Sequence, residues 1–149
     1  GGAVGARALG IALGKVQLSF GAAVARGILC NMLVTLAVIL ALAAKDISGK
    51  LWGMFFPIAA FVTSGFEHSI ANMYFVPAGI MLTADTKVVE VFGKDVSALT
   101  WGNFISNNLI PVTIGNLIGG AFIIATGYYL IYIKPTQVKQ DKTISAPGK

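Results

Sequence analysis

The chain has 149 residues, of which 56% are hydrophobic and 11% charged, with a mean hydropathy of +0.79. An ordinary soluble domain carries roughly 25% charge, so this composition excludes a soluble fold and points to a membrane protein whose apolar residues are gathered in blocks. The net charge of +5 lies at the edges of those blocks, which suits topology signals and speaks against nucleic acid as a partner.

In chain order, the first 27 residues are rich in Gly and Ala. Leu9, Leu13, Val16 and Phe20 fall at helical spacing there, which predicts a helix at the membrane interface. Lys15 lies within the mostly apolar stretch GIALGKVQLSF, where a snorkelling stem is the default reading. Three apolar blocks follow, at Ile28–Ala44, Leu51–Thr83 and Phe104–Ile133. The turn KDISGK and the loop ADTKVVEVFGKDVSALTWGN separate them. Residues 1–133 thus form a three-helix unit, and 134–149 a polar tail expected to be disordered. The tail carries Lys134, Lys139, Lys142 and Lys149 against Asp141, which places it and KDISGK in the cytoplasm by the positive-inside rule. Opening on GGAVGA without methionine, the chain reads as a piece of something longer. The lone Cys30 gives no internal disulfide framework.

The second block is too long for one crossing. About 33 residues of α-helix would reach roughly 50 Å against a hydrocarbon core of about 30 Å. Within it, Ser64-x-x-Glu67 has the form of a capping box and includes Gly65, which predicts a fresh helix starting near Gly65 after a break around Val62–Ser64. Irregular backbone at that depth survives where protein buries it or an aqueous cavity meets it. Transporters place such breaks at substrate sites, with half-helix N-termini facing anions. Glu67 is then a structural cap. His68, the single histidine, is a functional candidate, because ionisable groups inside membranes are costly and mark pathways. Asn31, Asn72, Asn107, Asn108, Thr113 and Asn116 are further polar groups in apolar surroundings, suited to gluing helices together. Gly115 and Gly119 form a GxxxG packing motif, and Pro111 predicts a kink. Phe61, just before the break, is either a gate or packing.

RGILCN (26–31), GFEHSIANM (65–73) and NLIPVTIGNLIGG (108–120), with KVQLSF (15–20), together resemble the formate/nitrite transporter family. FEHSIANMYFVP is closer to the formate and hydrosulfide channels than to the nitrite branch. The resemblance implies an all-α, aquaporin-like protomer of two inverted three-helix repeats, assembled as a homopentamer in the bacterial inner membrane with a pore through each protomer. This chain holds the second repeat, helices four to six, and the N-terminal half of the same protein supplies the rest. The resemblance further implies that His68 is the central pore histidine and that Lys15 lies close to it. Asn116 lines the same site, Asn72 sits one turn beyond the histidine, and Phe61 belongs to a hydrophobic constriction.

The function expected is passage of a small monovalent weak-acid anion (formate, hydrosulfide or nitrite), with His68 a candidate proton donor to the anion in transit. Lys15 beside it would disfavour imidazolium by like-charge repulsion. No enzymatic activity, cofactor or metal is expected: the chain offers neither a metal-ligand cluster nor a G-x-x-x-x-G-K-[ST] loop. The alternative is a membrane-anchoring subunit of a redox enzyme, disfavoured by the single histidine and by a lone cysteine that makes no cluster site.

Overall fold

The computed structural model describes residues 2–137, and helix is the regular structure found among them. Among the described residues there are six helices: α1 (Gly2–Val16), α2 (Phe20–Ala43), α3 (Ile47–Thr63), α4 (Ser69–Leu82) and α5 (Thr86–Phe92), then α6 (Trp101–Gln137). Of these, α2 and α6 are long and apolar enough to cross a membrane, whereas α3 and α4 are shorter. With 17 and 14 residues, α3 and α4 reach about 25 Å and 21 Å.

Close contacts fix the directions of the helices. Gly53 of α3 meets Leu40 of α2, while the Glu67 amide beyond the end of α3 donates to the Arg26 carbonyl of α2. These two helices therefore run antiparallel. Gly27 lies against Val112 and Asn116, and Gly120 against Asn31 and Thr35, so α2 and α6 run parallel. Gly79 of α4 packs on Ala12 of α1, and Lys15, further along α1, reaches back to Phe75. The result is three rows: α1 continued by α2, α3 continued by α4 in the opposite sense, and α6 alongside α2.

The first row departs from the sequence expectation. Leu9, Leu13 and Val16 are buried on α1, but Phe20 is exposed and starts the next helix. Gln17–Ser19 interrupts the row, and the Ser19 hydroxyl accepts from the Ala22 amide as N-cap. So α2 begins eight residues before the block expected from Ile28, because the Gly- and Ala-rich lead-in is small enough to pack as helix. Instead of standing alone at an interface, α1 has a packing partner. Its buried face joins Val76, Val88, Leu99 and Phe104 in the main apolar cluster.

The α2–α6 seam is built from absent side chains. A Cβ on Gly119 would fall on the Ile28 carbonyl, and one on Gly115 on the Val24 carbonyl. Only glycine allows backbones this close, which is how helices associate where lipid supplies no hydrophobic drive. Pro111 does not end α6. The turn before it, Phe104–Leu109, widens so that the Ile110 amide bonds to the Ile105 carbonyl five residues back, a π-type accommodation of the missing proline donor. Helix continues past Lys134 through Gln137, and residues 138–149 of the expected disordered tail lie outside the described residues.

Candidate functional site

The second row breaks at residues 64–68, and the local chemistry differs from a capping box. Gly65 has φ +66°, the left-handed conformation that favours glycine. Its amide bonds to the Val62 carbonyl, and the Phe66 amide to the Phe61 carbonyl. That pair of bonds is a Schellman motif. Ser64 is therefore the C-cap of α3, and Gly65 stops a helix where the sequence reading had one begin. The new helix starts four residues later, at Ser69. His68 is its N-cap, in extended conformation, with Nδ1 accepting a long 3.4 Å bond from the Ala71 amide.

Glu67 is thereby released from capping and turns to other partners. Lys15 Nζ lies 3.1 Å from Oε1 and 3.2 Å from Oε2, and the Glu67 carboxylate also accepts from Asn72 Nδ2 at 2.6 Å and Asn108 Nδ2 at 3.1 Å. Asn108 additionally donates to the Lys15 carbonyl, at 3.1 Å, and accepts from Asn72 at 2.8 Å. Residues from α1, the break, α4 and α6 thus close one network. The ion pair has side-chain exposures of 16% for Lys15 and 4% for Glu67, so both charges are withdrawn from solvent and must answer each other. Lys15 also stands 5.7 Å from the centroid of the Phe75 ring. The expectation that Lys15 opposes a charge on His68 is corrected accordingly: its ammonium is matched by Glu67. On His68, Nδ1 accepts from the Ala71 amide and so carries no proton in this geometry. The neutral ring then carries its proton on Nε2.

Asn116 holds the break from the other side. Its Oδ1 accepts from the Ser69 amide at 2.9 Å and the Ser69 hydroxyl at 3.0 Å. Its Nδ2 donates to the Gly27 and Glu67 carbonyls, each at 2.9 Å. All four valences of the amide are used, two of them on backbone groups that the break leaves unpaired, the Ser69 amide and the Glu67 carbonyl, and one on the Gly27 carbonyl within α2. Asn116 is a fastener of the break; it is buried, with 5% exposure, and no valence is left over for a ligand.

The predicted residues therefore fall into two groups. Lys15, Glu67 and Asn72 meet in the network, with Asn116 beside it. His68 is half-buried, and Phe61 places its ring centroid 6.0 Å from the imidazole. Asn108, Ser69 and the Lys15–Glu67 pair carry more of the site than the sequence reading assigned them. Asn108 was findable: with Phe104, Val112, Gly115, Asn116 and Gly119 it lies on one helical stripe of buried positions, whereas Asn107 lies off it and is exposed. Asn72 Oδ1 and Asn31 Oδ1 are buried without a partner among the described residues.

Comparison with known proteins gives the same answer from several directions. A family model described as formate/nitrite transporter matches residues 1–130. A probable formate transporter of Methanothermobacter thermautotrophicus is 49% identical over 126 residues, covering 83% of this chain and 41% of that protein. The formate channel FocA of Escherichia coli (strain K12) is 44% identical over 125 residues, 80% of this chain and 44% of its own length. A solved structure of a pentameric formate channel with formate bound superposes with a TM-score of 0.78 at 40% identity, over 87% of this chain and 52% of that one. The chain thus spans less than half the length of these two relatives. With residues 1–130 matched, nearly its full described length, the chain belongs to the formate/nitrite transporter family.

Proposed function

We propose that this chain is the C-terminal half of a channel protomer for small monovalent weak-acid anions: formate, hydrosulfide or nitrite. The three rows are three membrane passes, helices four to six of a six-helix inverted repeat. The N-terminal half of the same protein supplies the facing wall, and five copies assemble in the bacterial cytoplasmic membrane. Family membership and the likeness to a pentameric formate channel support this reading. So does the charge distribution: Lys45, Lys50 and Lys134 gather at one end of the rows, which supports a cytoplasmic C-terminal tail by the positive-inside rule.

The observation that carries the proposal is the interrupted row, with His68 capping the second half-helix. An anion approaching the break meets the positive end of α4 and a donor at Nε2. Glu67, the neighbouring carboxylate, does not repel it, because Lys15 neutralises that charge. Phe61 adds an apolar surface next to the imidazole, resisting a hydrated ion. A proton from the aqueous entrance adds at Nδ1 in place of the long Ala71 bond. The imidazolium gives its Nε2 proton to the entering weak-acid anion, and the ring is left neutral while the neutral acid passes the apolar step.

The test is flux of formate, nitrite and hydrosulfide through the full-length protein in proteoliposomes at two pH values. His68→Ala is expected to change the pH dependence or the anion preference. Flux-versus-pH curves identical to those of the unmodified protein would remove the proton-donor role and leave passive conduction.

A further inference from the structure

Among the described residues one end of the molecule is net basic, with three lysines against one carboxylate. Lys45 follows α2, Lys50 lies in the first turn of α3, and all three lysines, Lys134 near the end of α6 included, are exposed. The parallel seam between α2 and α6 and the antiparallel contact between α2 and α3 bring them to the same end. The carboxylate among them, Asp46, is engaged 2.8 Å from the Gly49 amide as an N-cap. The ion pair found among the described residues is Lys15–Glu67, and among those residues none of the three lysines shares in one. Just inside this ring stand two exposed aromatics, Trp52 on α3 (60%) and Tyr132 on α6 (61%). The opposite end differs, since Asp85, Glu90 and Asp95 there balance Arg7, Lys87 and Lys94.

We infer that Lys45, Lys50 and Lys134, with Trp52 and Tyr132 beneath them, bind the phosphate headgroups of anionic phospholipids. Ammonium groups at the surface of an anionic leaflet contribute additively, and amphipathic rings settle at headgroup depth, with Lys50 and Lys134 each two residues further out. Charge complementarity selects the occupant: a zwitterionic headgroup brings its own cation and leaves the lysines unmatched. The inference rests on the membrane placement proposed above.

The test uses full-length protein in mild detergent, with native mass spectrometry of phosphatidylglycerol and phosphatidylcholine of identical acyl chains. Unmodified protein is expected to retain phosphatidylglycerol preferentially. Each Lys→Gln change should reduce that preference by roughly fivefold, K45Q/K50Q/K134Q should abolish it, and K45R/K50R/K134R should keep it. K87Q/K94Q, at the other end, should leave it unchanged. A preference that survives the single and triple glutamine changes overturns the inference, as does an equal loss in K87Q/K94Q. Inorganic phosphate should not displace the lipid; displacement would indicate a free-anion site instead. Formate flux is read separately in phosphatidylcholine vesicles. Absent flux with lipid preference intact counts against the channel reading alone, and intact flux with no preference against the lipid site alone.

Discussion

The break between α3 and α4 and the seam between α2 and α6 solve the same problem by opposite means. In hydrocarbon the apolar surfaces of two helices gain little by meeting, so something else must hold them. At the seam, side chains are removed: Gly27, Gly115 and Gly119 let the backbones touch, and dispersion with weak Cα–H···O contacts does the work. At the break, backbone groups are exposed and then individually answered, by Asn116, by the Schellman bonds and by the His68 cap. The seam tolerates no added atom. The break tolerates space but no missing partner, and a site for a passing ion has to be built the second way.

That contrast can be broken or sharpened by substitution in the full-length protein, followed by thermal unfolding in detergent. Glu67→Ala should cost most, about 3–5 kcal/mol, because it strands the Lys15 ammonium in a nearly closed site. Combining it with Lys15→Met should recover most of the loss; a double variant as unstable as the single one would argue against the pair as its cause. Gly119→Ala should follow at about 1–3 kcal/mol, through forced separation of the seam, whereas Gly14→Ala, with open space around its Cβ, should be neutral. Asn116→Ala should cost about 2 kcal/mol by orphaning buried backbone groups of the break. Gly65→Ala should be the mildest, about 1–2 kcal/mol, and purely conformational, since nothing lies within 4 Å of its added Cβ. Equal losses at Gly65 and Gly119 would erase the distinction between the two regions.

Much of this was legible beforehand. Composition and block length gave an all-helical membrane chain, and the motifs at 26–31, 65–73 and 108–120 gave the family. The interruption itself was legible because one block exceeded a bilayer. Its direction was misread: Ser64-x-x-Glu67 matches a helix start, but Gly65 between them is a helix stop, and the αL geometry it permits wins over the capping box. The Lys15–Glu67 pair was not legible, since 52 positions separate the two and no local pattern encodes their meeting. The start of α2 was missed because Ser19 caps a helix whose first turns are Gly and Ala, residues that carry little apolar signal. The π-type turn before Pro111 was invisible for a similar reason: proline announces a disturbance but not the form the backbone chooses.

The pairing of Lys15 with Glu67 also orders events at the ribosome. Lys15 is synthesised 52 residues ahead of its counter-ion, and at about 5–20 residues per second that is a wait of roughly 3–10 s. Through this interval the end of α1 holds a cation that lipid will not accept alone. In the membrane placement proposed above, the first row is expected to reach its final depth only when the α3–α4 break arrives beside it.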